Sequence, residues 1–259
     1  MLMPSSAWGQ VVFIFVFSLL RYLVIAGIAF CIFYILLKHK KIFYKIQQRW
    51  PASGDYKREV TYSLFTFVFF ALVPLVIKLP FIKPYTHIYT DIHQHSRLYF
   101  WLAFPLMLVI HDTYFYWTHR LMHHPLVFKR VHLLHHKSTN PSPWAAFAFS
   151  PAEAIVESSV IYVFVFTIPV MPIQLFSFLI FMTAYNVYGH LGFELYPKNF
   201  NRTAIGKWIN TSVNHNMHHQ YFKGNYGLYF TVWDRVMGTL QKDYDAHFDT
   251  ITSKNFSKN

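Results

Sequence analysis

Cysteine and negative charge are what this chain has least of. Cys31 is its one cysteine, so neither an intrachain disulfide framework nor a multi-thiolate metal site can form. Asp and Glu together number 11 against 23 Lys and Arg, and the four types make up only 13% of 259 residues. A soluble domain carries about 25%. With 54% hydrophobic and 20% aromatic residues and a positive mean hydropathy, the balance points away from a soluble domain and toward one integral membrane domain. The net charge of +12 would suit nucleic acid, but the basic residues gather beside apolar runs rather than on a face of their own. Anionic headgroups and the positive-inside bias account for them, and no nucleic-acid partner is expected. The opening MLMPSSAWGQ has no basic n-region, so the first apolar run reads as a retained anchor, not a cleaved signal.

The apolar runs predict an all-α membrane bundle of four or five transmembrane helices. The first run, 11–37, is long enough to span with tilt and belongs to an N-terminal anchor, 1–37. Arg21 interrupts it, read as a snorkelling side chain or half of a structural pair. A basic connector follows at 38–59, where KIFYKIQQRW alternates apolar and basic groups and is read as an interfacial helix. By the positive-inside rule this connector is cytoplasmic. Further spans are expected at 60–77 and 98–117, then a hairpin of 152–168 and 173–188 around PVMP. Counting the spans puts every histidine cluster on the cytoplasmic side, in a helical cap. The single domain is drawn as 1–251, with a catalytic region at 60–240 and a disordered tail at 252–259.

Histidine is what the chain has in a pattern. Seven of its 16 histidines fall in HDTYFYWTHRLMHHPLVFKRVHLLHH, 111–136. His119 and His123 are four apart; His132, His135 and His136 form HxxHH; His215, His218 and His219 in NHNMHH repeat it. Side chains at i, i+3 and i+4 share one helix face, so each cluster can aim its rings at one region. Neutral imidazole suits iron, zinc, copper and nickel, and eight such ligands are too many for one ion, so two ions are expected. His124 follows His123 directly and points elsewhere; His111 lies on a similar face but deeper. His87, His93 and His95 match no ligand pattern and are read as surface residues.

HDTYFYWTHRLMHH, VHLLHHKS and NHNMHHQYFKGNYGLYFTVWDRVMGTL together resemble the fatty acid hydroxylase/sterol desaturase superfamily of integral membrane enzymes, over about 55–240. The resemblance implies metal ligands at His119, His123, His132, His135, His136, His215, His218 and His219. His190, in NVYGH, matches a further ligand of many relatives. Some relatives have another histidine where this chain has Asn186, which is expected beside the ligands. The implied cofactor is a pair of non-haem iron ions, replaceable by zinc on purification. The implied activity is O2-dependent hydroxylation or desaturation of a membrane lipid, most like the sterol branch, with fatty-acyl, carotenoid and ether lipids as alternatives. Electrons would come from a separate ferredoxin or a cytochrome b5-type donor with its reductase.

Ligating imidazoles are ordinarily held through their second nitrogen. Asp112, seven residues before His119, is the leading candidate for that role, ahead of Glu153, Glu157, Glu194 and Asp234. Tyr114, Phe115, Tyr116, Trp117, Trp144, Phe147 and Phe149 are candidates to line an apolar substrate cleft or to serve as interfacial belt and core. Two other classes were weighed. A membrane metal transporter needs ligands part-way across the bilayer, whereas these clusters follow span ends. A zinc hydrolase needs the general-base glutamate of HExxH, which these clusters lack.

Overall fold

A computed structural model describes residues 4, 6–38 and 44–253. Eleven α-helices dominate the described residues. Helix α1 (Ala7–Phe30) starts where the Ser6 hydroxyl accepts from Gly9 N at 3.0 Å, and runs on as a π-helical segment, Cys31–Leu36. Helix α2 (Ser53–Leu72) is capped by Asp55, whose carboxylate takes the Ala52 N–H at 2.9 Å; an acidic group in a first turn also meets the positive helix end. Helix α3 (Arg97–Met122) is capped by Ser96. With their continuations, 7–36, 53–78 and 97–122 are the three described helices long and apolar enough to cross a membrane.

After α3 the chain breaks into short pieces: α4 (Pro125–Val131), α5 (Leu133–His136), α6 (Pro151–Ser158) and α7 (Val160–Thr167). Helix α8 (Pro172–Gly189) returns toward the histidines. The expected hairpin is present, but its first arm breaks at Ser159, and neither arm is among the described helices long and apolar enough to cross a membrane. Its turn binds the loop between α2 and α3, Tyr89 N to Val170 O at 3.1 Å, so it reaches the end of the bundle remote from the histidines. Helix α9 (Ser212–Tyr221), the short α10 (Val232–Val236) and α11 (Tyr244–Thr252) complete the chain.

The bundle core is aromatic: Tyr22, Phe67, Phe147, Phe164 and Phe178 are all buried. A second core, with Val213, Met217, Tyr244 and Phe248, clamps α9 against α11.

Three expectations change. The described part of KIFYKIQQRW is not an interfacial helix. Strand β1 (Tyr44–Lys45) pairs antiparallel with β2 (Phe193–Glu194), Tyr44 opposite Glu194, and bends follow. An alternation of period two is a strand signature, and the Ile46 N–H reaches Gly192 O at 3.0 Å. Positions 41–43 of the expected helix lie outside the described residues. The tail begins later than expected, because α11 includes Thr252; positions 254–259 also lie outside them. Arg21, in turn, does not snorkel and pairs with no carboxylate among the described residues. It is 6% exposed and lies against aromatic rings, its Cζ 5.4 Å from the Phe17 centroid and 5.9 Å from that of Phe147.

Candidate metal centre

The ends of α3 and α8, the two short helices α4 and α5, and helix α9 meet in one place, and nine imidazoles fill it in two groups. One holds His119, His123, His132, His136 and His218; the other holds His135, His190, His215 and His219. In each group the candidate ligand nitrogens all lie within 4.8 Å of one another. All nine rings are the ones expected from the sequence. His111 joins neither group: it is buried, with Nδ1 3.0 Å from the Tyr229 hydroxyl. His124 is exposed and caps α4. His87 and His93 are exposed, and the His95 ring lies against Tyr89 and Tyr99.

The Nε2 atoms face each other: His119 and His132 at 3.0 Å, His123 and His136 at 3.1 Å, His123 and His218 at 3.2 Å. In the second group His190 lies 3.1 Å from His215, 3.1 Å from His219 and 3.2 Å from His135. Several Nδ1 atoms meet carbonyls: His119 to Tyr226 O at 2.9 Å, His218 to Gly224 O at 2.7 Å, His190 to Asn186 O at 2.8 Å, His219 to Ser138 O at 3.0 Å. A carbonyl only accepts, so each of these Nδ1 atoms carries the proton and donates. In the neutral ring Nε2 is then a bare lone pair.

His190 and His219 therefore point two lone pairs at each other across 3.1 Å. No hydrogen bond can form there, and a shared cation resolves the repulsion. Metal–imidazole bonds of about 2.1 Å set adjacent ligand nitrogens about 3.0 Å apart at right angles, which is the spacing observed. Protonation is the competing resolution, and burial opposes it. Burial first, then neighbouring imidazoles, holds His132, His135, His136, His215, His218 and His219 well below the ordinary histidine range. Burial brings His190 to about 4. The donor set thus fits a pair of metal ions.

The supports are mostly backbone. His132 is the exception: its Nδ1 donates to Glu153 Oε1 at 2.7 Å. Glu153 sits in the first turn of α6, where Ser150 caps its N–H at 3.2 Å. Asp112, the leading candidate, reaches no ring. Its Oδ1 accepts from Tyr229 N at 2.8 Å and Phe230 N at 3.1 Å. Asp234 accepts from Tyr226 N at 2.9 Å and Gly227 N at 2.8 Å. Together they pin the loop whose Tyr226 carbonyl holds His119. Glu194 does similar work at α9, taking the Val213 N–H at 3.0 Å. Asn186 acts through its backbone oxygen, while its side chain donates to Ala146 O at 2.6 Å.

Two glycines were not foreseen. Gly224 presents its carbonyl to His218 from φ +67°, where a Cβ would meet Thr239 O at 2.4 Å; only glycine is at ease there. Gly189 lets α8 approach α9, since a Cβ would stand 3.3 Å from His215 Cδ2. The sequence signal for both was a glycine beside a histidine cluster in chain or space, too common a pairing to single out.

A cavity of about 860 Å³ runs through the bundle; His111 lines it, while the nine clustered histidines lie behind its wall. Phe115, Phe149 and Asn186 wall its inner end. The Phe115 ring lies 4.9 Å from His119, and Phe149 lies 5.2 Å from His135. Of the seven aromatic residues proposed for a cleft, Phe115, Phe147 and Phe149 line it; Tyr114, Tyr116, Trp117 and Trp144 do not.

Residues 104–239 match the fatty acid hydroxylase family. Among curated proteins, the Delta(7)-sterol 5(6)-desaturase of Leptosphaeria maculans is 30% identical over 236 residues, 89% of this chain and 64% of the relative. That of Gibberella zeae is 33% identical over 223 residues, 84% of this chain and 67% of the relative. Lathosterol oxidase of Homo sapiens is 28% identical over 191 residues, 73% of this chain and 62% of the relative. The chain thus spans roughly two thirds of the length of these relatives. No solved structure matches it.

Proposed function

The chain belongs to the fatty acid hydroxylase family, and from that premise we propose that it is a membrane oxidoreductase that desaturates a sterol with O2. Two iron ions are held by His119, His123, His132, His136 and His218 on one side and by His135, His190, His215 and His219 on the other. The single observation that carries the reading is the convergence of nine imidazoles, in two groups, behind the Phe115 and Phe149 wall of a lipid-sized, mostly apolar cavity. Pockets for small ligands run about 300–1,000 Å³, and this one falls within that range. The sterol class rests on what the relatives are named for: Delta(7)-sterol 5(6)-desaturase and lathosterol oxidase.

When bound, an iron pair would supply the O2 activation needed to oxidise an unactivated C–H bond. The chain supplies the rest. Carbonyls on the Nδ1 atoms of His119, His190, His218 and His219 fix those four tautomers so that Nε2 faces the ion. Glu153 makes His132 the more electron-rich ligand. Phe115 and Phe149 keep water from the space between substrate and metals, and the cavity holds the lipid so that one carbon meets them. Correct placement is what separates desaturation from hydroxylation, since an ångström of misplacement can cost on the order of a hundred-fold.

The site faces the cytoplasm on this reading, because the basic run between α1 and α2 flanks the same end of the bundle. A basic surface there suits an acidic electron donor, a ferredoxin or a cytochrome b5-type protein with its reductase. The test is complementation. Expressed in cells lacking their own sterol 5-desaturase, the chain converts lathosterol in an O2-dependent way, and the purified protein carries about two irons per chain. One zinc per chain, with no O2 consumed and no new sterol, overturns the proposal.

A further inference from the structure

The cavity is lined by a buried guanidinium that no carboxylate answers among the described residues. Arg21 lies on the face of α1 that lines it, together with Ala7, Gln10, Ile14, Phe17 and Ser18. At 1.5 Å per residue this face is about 21 Å long, and Arg21 is its innermost member. The Arg21 side chain is buried, and its Nε and Nη1 find no hydrogen-bond partner among the described residues. Three successive contacts link it to the histidines: Phe147, 5.9 Å from the guanidinium, meets Phe149 at 6.0 Å, and Phe149 meets His135 at 5.2 Å. A buried guanidinium with idle donors is costly, and an arginine part-way along a membrane span marks a functional position by default. Ring faces soften the cost but accept no N–H in a directed bond here.

Glu157, from α6, lines the same cavity and forms no ion pair with Arg21. A guanidinium can only donate, and a carboxylate can only accept. An alcohol does both. A fatty acid carboxylate would meet Arg21 but would bring a second carboxyl into a cavity that already holds one.

We propose that Arg21 is a positioning residue that donates hydrogen bonds to an alcohol oxygen on the leading end of an otherwise apolar lipid. The molecule enters hydroxyl-first, and its apolar tail fills the length along α1 toward Ala7. This rests on the reading of the chain as a lipid oxidoreductase, and it deepens that reading by fixing the direction in which the substrate lies.

Binding is the test, measured on the full-length, iron-loaded protein in nanodiscs without O2, by displacement of a fluorescent sterol. Lathosterol is compared with its 3-deoxy counterpart, and 1-octadecanol with octadecane. The wild type should prefer each alcohol by about ten-fold or more, as a hydrogen bond to a charged group predicts. Arg21→Met should erase the preference while leaving the deoxy compound bound as well as before. Arg21→Lys, which keeps charge and bulk, should retain part of it and serves if the Met variant does not fold. A preference unchanged in either folded variant, or no preference for either alcohol in the wild type, overturns the proposal. Preference for octadecanol with no binding of lathosterol leaves the role of Arg21 standing and removes the sterol from the proposed function.

Discussion

The two histidine groups look alike in composition and differ in their supports. The first has five rings, includes the part-exposed His123, and contains a carboxylate contact, Glu153 on His132. The second has four rings, all buried, and leans on the backbone oxygens of Asn186 and Ser138. A carboxylate on Nδ1 makes the opposite nitrogen a stronger donor than a carbonyl does. The larger donor set with the acidic support is thus suited to hold its ion tightly. The smaller set leaves more of its ion's surroundings free. The centre is a pair of unequal positions, and its asymmetry is open to experiment.

The largest effect should come from removing a ligand on either side. His135→Ala and His218→Ala are each expected to abolish turnover while the protein still inserts in the membrane, read by product analysis beside membrane fractionation. Near-normal turnover in either would remove that residue from the centre. Next comes Glu153→Gln, which touches only the five-ring group. Loss of such a support costs about 10–100-fold in metal affinity or activity, so iron should leave this group first on mild chelation, seen as a fall from about two irons per chain toward one. An even loss from both would erase the distinction between them.

Acid should act on both groups together. In the folded state the buried histidines have pKa values below the ordinary range, His190 at about 4. The unfolded chain takes up protons at the usual value of about 6.5, so it binds more of them as pH falls. The stability that neutral rings contribute is therefore present above pH about 6.5 and drains away toward pH about 4. Thermal unfolding of the iron-free protein should move down through that window and be flat above it.

A smaller change is expected from Asp112→Asn. It weakens two buried backbone hydrogen bonds, worth about 1–3 kcal/mol together, and should lower the melting temperature more than it lowers turnover. His93→Ala, at an exposed position far from either group, should be silent in both measurements.

Much of the centre was legible because a helix converts spacing into direction. The pairs four apart stay together: His119 with His123, His132 with His136, His215 with His219. The middle members of the two HxxHH runs cross over, His135 to the four-ring group and His218 to the five-ring group. Spacing alone allowed this, since neighbouring positions diverge by about 100° around a helix, but it could not tell which ring goes where without the second helix in place. Supports were harder. Asp112 and Glu153 are both acids near a cluster, and only the path of the chain decides that one holds a loop and the other a ring. Backbone carbonyls, the commonest support here, leave no mark in a sequence at all. The strand at 44–45 was hidden for a similar reason: its partner lies about 150 residues further on.

Because α5 and α9 each send rings to both groups, the separation of the two histidine groups is ruled by the pitch of two short rigid rods. Those rods cannot stretch to suit a wider or narrower guest. Adapting this scaffold to another lipid is accordingly a matter of recarving the walls contributed by α1, α7 and α8, with the centre left as a fixed gauge.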